Sequence, residues 1–268
     1  MKQLLFSVAA LFATLCANAQ EQVYVVLDDG SALSYSVDKV STISFDASEA
    51  STVKGYSDLL KEIDDLKEQR DTLKKYYYLS KYDGQLVDLG LESGTLWATY
   101  NVGATKPEEY GSYFAWGETE TKETYTGDNS DWYNVPYTTL QQDGIIDNIR
   151  NLTAKYDAAT VNWGEEWRMP TSDEINELCN LISEPKEING VKGRLFHGKN
   201  GNTLFVPFAG YRDGSELYYA GGLGYCWSAT AHEIDWLAFN PFVNSDEAFL
   251  YYSNRFRGQS VRAVLRSK

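Results

Sequence analysis

Residues 163–175 read Trp163-Gly164-Glu165-Glu166-Trp167-Arg168-Met169-Pro170-Thr171-Ser172-Asp173-Glu174-Ile175, and they hold the signals that set the architecture of this chain. Gly164 punctuates the run between two indoles. Pro170-Thr171 then opens a helix: Thr171 is a capping residue, Glu174 three positions on completes a capping box, and Ile175 and Leu178 give apolar helical spacing. Outward from this point, through residues 80–268, helix signals are scarce. Short β runs joined by turns replace them: Thr203-Leu204-Phe205-Val206, Tyr225-Cys226-Trp227, Phe249-Leu250-Tyr251-Tyr252 and Ser260-Val261-Arg262-Ala263-Val264. One good helix among short strands predicts a loop-rich α+β domain whose indoles hold loops to the core.

Further motifs flank this stretch on both sides. They are Val87-Asp88-Leu89-Gly90-Leu91-Glu92-Ser93-Gly94-Thr95-Leu96-Trp97-Ala98-Thr99 followed by Asn101-Val102-Gly103-Ala104, then Tyr113-Phe114-Ala115-Trp116-Gly117-Glu118-Thr119, and Phe208-Ala209-Gly210-Tyr211-Arg212. Gly224-Tyr225-Cys226-Trp227-Ser228-Ala229-Thr230 and Gly258-Gln259-Ser260-Val261-Arg262 complete the series. In this order they resemble the Fibrobacter succinogenes major paralogous domain, over most of residues 80–268. That family is similar in fold to C-type-lectin-like domains, including the formylglycine-generating-enzyme branch, and is mostly without assigned activity. The resemblance implies a fold and an exported, surface-exposed setting more than a reaction. Physically, Trp97, Trp116, Trp163, Trp167 and Trp227 read as core anchors. Arg168 and Arg212 read as loop bridges to carboxylates or carbonyls.

The N-terminus reads as a processing signal. Lys2 precedes an apolar run from Leu4 to Ala17, and Ala17-Asn18-Ala19 matches a small-x-small cleavage site. Residues 1–19 are therefore expected to be a secretory signal peptide, too short to span a bilayer. Cys16 follows Leu15, which is too large for a lipobox, so no lipid anchor is expected. The setting expected is the periplasm, cell surface or extracellular space.

Residues 20–50 form a small β segment. Val23-Tyr24-Val25-Val26-Leu27, the turn Asp28-Asp29-Gly30, and the alternating Leu33, Tyr35 and Val37 predict a hairpin, with Val40, Ile43 and Phe45 as a third apolar cluster. This segment resembles a short element near the start of many exported Bacteroidales proteins. Residues 51–79 change character. Tyr56, Leu59, Ile63, Leu66, Arg70, Leu73 and Tyr77 recur at alternating intervals of three and four, an a/d heptad seam with one polar position. Two readings stand: a coiled coil that makes a homo-oligomer through 52–78 and serves as a stalk, or an amphipathic helix packed on its own domain.

Composition removes several function classes. Asp and Glu total 38 against 24 Lys and Arg, a formal net charge of −14. That disfavours nucleic-acid phosphates and anionic lipid. Cys179 and Cys226 are the cysteines left after the leader, and they could be bridged or free. No His/Cys cluster with zinc spacing occurs. No cofactor is expected. Calcium, raised by the lectin-like resemblance, would need converging oxygens; only Asp128-Asn129-Ser130-Asp131 and Asp213-Gly214-Ser215-Glu216 are oxygen-rich. Cys179 and Cys226 do not match the cysteine pair of the formylglycine-generating branch. No catalytic residue is picked out, and His197 and His232 read as surface residues.

The aromatic residues point to binding. The chain holds 20 Tyr, 11 Phe and 7 Trp. Residues 231–257 carry seven aromatics in 27 positions, interleaved with Asn, Ser and Arg, a composition suited to recognition. Alternation predicts that Trp236 and Leu250 face inward. The candidate ligand-binding residues are Phe242, Asn244, Phe249, Tyr251, Tyr252, Asn254, Arg255 and Phe256. In some exported lectin-like domains a retroelement diversifies the segment before the final strand, and the layout here resembles that arrangement. The function expected is an exported, non-enzymatic binding protein for a protein or glycan. The alternatives are a secreted carbohydrate-active or modifying enzyme using acidic cleft residues, and a structural surface or fimbria-associated subunit.

Overall fold

A computed structural model describes residues 22–26, 32–36 and 54–265. The signal peptide, Cys16, the Asp28-Asp29-Gly30 turn and the Val40, Ile43, Phe45 cluster lie outside the described residues, as do the side chains of Tyr56 and Leu59. The chain divides into two compact units, Met1–Leu66 and Lys67–Lys268.

In the first unit, β1 (Gln22–Val26) pairs antiparallel with β2 (Ala32–Ser36), Val23 opposite Tyr35 and Val25 opposite Leu33. The two strands of the predicted hairpin are therefore present and paired. Helix α1 (Lys54–Lys81) follows.

The second unit is mixed α+β, with few helices and several small antiparallel sheets. β3 (Leu86–Asp88), β4 (Leu96–Ala98), β13 (Val264–Leu265) and β5 (Trp167–Arg168) form one sheet in that order, so the two ends of the unit meet in adjacent strands. β6 (Ile182–Ile188), β7 (Val191–His197) and β8 (Thr203–Pro207) form a meander. Two hairpins complete it: β9 (Tyr211–Asp213) with β10 (Glu216–Tyr218), and β11 (Leu237–Val243) with β12 (Ala248–Asn254).

Short helices α2 (Tyr137–Gln142) and α3 (Ala158–Trp163) precede α4 (Ser172–Cys179). α4 begins where the capping box places it. Thr171 accepts from the Glu174 amide, and the Glu174 carboxylate accepts from the Thr171 amide. Its Ile175 and Leu178 are buried.

Two hydrophobic clusters form the core. One gathers Trp116, Trp167 and Trp227 with Phe114, Leu140, Ile146 and Val261. The other gathers Trp97 with Ile175, Phe196, Leu204, Phe208 and Val243. Four of the five expected anchors are thus buried, and truncating any such indole costs about 3–5 kcal/mol. Trp163 is the exception. It is half-buried and packs edge-on against Trp167 and Tyr100.

Three local expectations fail. Tyr225-Cys226-Trp227 is not a strand; it makes a parallel bridge, Cys226 to Ser260, and Trp227 is held by its indole donating to the Phe114 carbonyl at 2.8 Å. Of Ser260–Val264, only Val264 joins a strand. Trp236 is exposed rather than inward, because it lies in the turn before β11, where strand alternation does not apply. Leu250 does pack against the second cluster.

No helix among the described residues is long and apolar enough to cross a membrane.

Candidate binding face

A row of aromatic rings crosses the second unit, assembled by long-range pairing. On β11–β12, Phe242 sits opposite Phe249 and Asn240 opposite Tyr251. Phe242 stacks on Phe249 at 5.1 Å and meets Tyr251 edge-on at 6.1 Å. Further along the same face, Asn240 and Ser253 are buried and hydrogen-bonded to each other at 3.1 Å. The other face turns Val243, Ala248 and Leu250 to the second core cluster. The hairpin therefore anchors one face and presents rings at its turn end.

Two bridges extend the row beyond the hairpin. Gly224 pairs with Val243, and this sets Tyr225 edge-on to Phe242 at 5.8 Å. Arg212 pairs with Gly258, which places Arg257 4.3 Å from the Tyr211 ring centroid. Tyr211 then contacts Tyr225 at 5.5 Å and Tyr218 at 5.9 Å, with Tyr219 beside both. At the other end Tyr251 stacks on Tyr252 at 4.7 Å, and Tyr252 contacts His232, which contacts Phe239. The row is unbroken from Tyr219 to Phe239. Phe249, Tyr251, Tyr252, Tyr218 and Tyr219 are between 38% and 59% exposed, so the rings are available to a partner. Tyr219 has φ 59, a left-handed backbone that bulky residues rarely adopt.

The eight residues expected to bind ligand divide. Phe242, Phe249, Tyr251 and Tyr252 belong to the row. Asn254 is half-buried at the end of β12, opposite Leu237. Arg255 requires correction, and Asn244 and Phe256, both half-buried, are held by contacts within the fold. Arg255 is fully buried and donates to the carbonyls of Leu237, Trp132 and Val135. It is a clamp, because a guanidinium with several donors can tie three loops at once. Asn244 accepts from the amides of Asp246 and Glu247 at 2.7 and 2.8 Å, capping the hairpin turn. Phe256 packs edge-on against Tyr133 at 5.0 Å. Composition flags a segment, whereas exposure is decided side chain by side chain.

Sequence reading missed Tyr211, Tyr218, Tyr219 and Tyr225. They lie 24 or more positions before Phe249, and local composition carries no sign that they meet it. The Tyr218-Tyr219 pair, set in a turn-rich stretch, was the available signal.

The bridging roles of the arginines hold. Arg168 donates to both oxygens of Glu174 at 2.5 and 2.6 Å. Burial works against the Glu174 charge, but the Arg168 guanidinium and the Thr171 amide outweigh it and hold the carboxyl below its ordinary value. Arg212 donates to the Ser215 carbonyl and lies 5.3 Å from the Tyr113 ring centroid.

Acidic residues do meet in one cleft of about 510 Å³, lined by Asp147, Asn151, Asp157, Arg168 and Thr171 among others. Both of its carboxylates serve the backbone. Asp147 accepts from the amides of Ile149 and Asn151, and Asp157 from those of Thr160 and Met169. Burial pushes the Asp157 carboxyl upward despite these amides. Asn129 of the oxygen-rich 128–131 run closes its own turn on Thr124 and Thr126, and Asp213 pairs with Arg257. Among the described residues, no group of three or more His, Cys, Asp and Glu converges to hold a metal ion.

Cys179 and Cys226 are both free thiols. Burial pushes Cys226 up to about 11 and Cys179 up to about 12, which keeps both protonated and unreactive near neutrality.

Compared with family models, curated proteins and solved structures, this chain matches none.

Proposed function

We propose that this chain is an exported, non-enzymatic binding protein whose aromatic row recognises a protein or glycan. The run of contacting rings from Tyr219 to Phe239, exposed at Tyr218, Tyr219, Phe249, Tyr251 and Tyr252 and joined through the buried Tyr225, carries this reading. Soluble proteins rarely leave so many apolar rings contiguous on the surface without a partner. Rigid rings bound at little cost in side-chain entropy, and tyrosine hydroxyls add directional bonds. The motif resemblance to the Fibrobacter succinogenes major paralogous domain supports a C-type-lectin-like scaffold beneath the row. The mixed α+β architecture of small sheets accords with it. The leader-like residues 1–19 support export to the periplasm, cell surface or medium.

Self-association through α1 belongs to the same reading. Tyr78, Leu79 and Tyr82 pack on the first core cluster, and Lys75 pairs with Asp88. On the opposite helical face Leu66, Leu73 and Tyr77 are 57%, 70% and 58% exposed, with exposed Arg70 between them. The domain uses one face of the helix and leaves Leu66, Leu73 and Tyr77 of the a/d seam uncovered. A second copy is the partner whose seam matches it residue for residue.

The test is an array of glycans and cell-surface proteins probed with the full chain and with a Tyr218→Ala/Tyr251→Ala/Tyr252→Ala variant. A target retained by the parent and lost by the variant supports the reading. Equal binding by both overturns it.

A further inference from the structure

We infer that the aromatic row takes a cationic ligand: a lysine- or arginine-bearing segment of another protein. This rests on the row being the binding face and adds the chemistry of what it binds.

Carboxylates border the row at three places. Asp246 and Glu247 form the turn beside Phe249. Glu233 and Asp235 flank the His232–Trp236 turn next to Tyr252. Glu216 lies opposite Asp213 across β9–β10, two residues before Tyr218. Glu233 is paired with Arg150 and Asp213 with Arg257, whereas Glu216, Asp246 and Glu247 are exposed and make no ion pair among the described residues. No lysine occurs between Lys199 and Lys268, and the arginines at this border are engaged within the fold: Arg194 on the carbonyls of Asn244, Ser245 and Asp246, Arg150 on Glu233, and Arg257 on Asp213.

The protein already displays the proposed contact once within itself. Arg257 lies 4.3 Å from the Tyr211 ring centroid while its Nε sits 3.3 Å from the Asp213 carboxylate. One cation is thus held between a ring face and an acid. An exposed carboxylate also stands two residues before an exposed ring at Glu216 and Tyr218 and at Glu247 and Phe249. Among the described residues no cation lies over Tyr218, Phe249, Tyr251 or Tyr252. A ring's negative face attracts a cation, and carboxylates nearby add to that field. Anionic glycans and nucleic acids meet repulsion at the same border. A neutral glycan could stack on the rings but would draw nothing from the net charge.

The experiment titrates the full chain with three probes. One is a twelve-residue peptide alternating lysine and glycine, the second the same peptide with glutamate for lysine, the third a neutral oligosaccharide such as cellohexaose. Two paired variants accompany it, Tyr218→Ala/Tyr251→Ala and Glu216→Gln/Glu247→Gln, all at exposed positions. The expected result is binding of the lysine peptide alone, weakened roughly tenfold or more by each variant pair and by raising salt from about 50 to about 500 mM. Binding of the lysine peptide that both variants leave unchanged overturns the inference, since it reports only diffuse attraction to an acidic chain. Ring-dependent binding of the oligosaccharide without the lysine peptide also overturns it, while the binding face stands. Binding of no probe overturns the inference; the array result with the ring variant then decides the face separately.

Discussion

The guanidinium carbon of Arg255 lies 4.8 Å from the centroid of the Trp116 ring, and both side chains are fully buried. The backbone joins them again, since the Trp116 amide donates to the Arg255 carbonyl at 2.8 Å. The Trp116 indole is itself fixed to the Ser228 carbonyl at 2.9 Å. One residue near the C-terminus thus ties the 116, 132–135 and 237 segments together. Burial depresses the Arg255 guanidinium to about 10, which is the cost of holding this charge away from water. Arg255→Ala removes the clamp and leaves three buried carbonyls short of a donor. The expected loss is about 3–5 kcal/mol in urea unfolding. Arg255→Lys should recover little, because an ammonium cannot span the same carbonyls.

Glu174 links the helix start to the first sheet. It caps α4, holds Arg168 of β5 and accepts from the Thr95 hydroxyl at 2.8 Å. Glu174→Gln should cost about 2–4 kcal/mol, measured by chemical denaturation. The pH dependence follows from the lowered carboxyl. A depressed folded value means the stabilisation is fully present above the unfolded value of 4.5 and is lost as pH falls through the folded one. The parent should therefore lose stability below about pH 4.5 along a limb that the Gln variant flattens.

Gly210 sits at φ 64 where the 219–223 loop folds back on β9. A Cβ there would lie 2.0 Å from the Tyr218 carbonyl oxygen, which is backbone and cannot swing aside. Gly210→Ala should lower the melting temperature, by a loss of about 2 kcal/mol or more, and displace Tyr218 and Tyr219. Ligand binding should fall with it, more steeply than for Gly201→Ala, also at positive φ but with open space around it.

The exposed seam of α1 predicts a change in mass rather than in domain stability. Leu66→Asp with Leu73→Asp puts charge at positions exposed in the single chain, so unfolding of residues 67–268 should shift by less than about 1 kcal/mol. Sedimentation should report the oligomer for the parent and a monomer for the variant. An unchanged mass would remove the coiled-coil reading.

Both thiols are raised by burial, so neither should react with a disulfide reagent at pH 8 in the native state. Two should react after denaturation of a chain that lacks residues 1–19. Fast labelling of Cys226 in the native protein would contradict its burial.

What the sequence determined was local. The capping box of α4, the β1–β2 hairpin and the alternating spacing of α1 each depend on residues within a few positions of one another. Four indoles bracketed by glycines were legible as core because a large ring among turns has few other places to go. The tertiary structure alone decided which aromatic residues meet solvent together. Tyr211, Tyr218 and Tyr225 join Phe242 and Tyr251 only because Gly224 pairs with Val243 and Arg212 with Gly258. Those contacts span tens of residues, and no periodicity encodes them. The same cause turned Arg255 from an expected contact into a buried clamp. A side chain's composition is a property of the sequence, but its exposure depends on the distant segments that the fold lays over it.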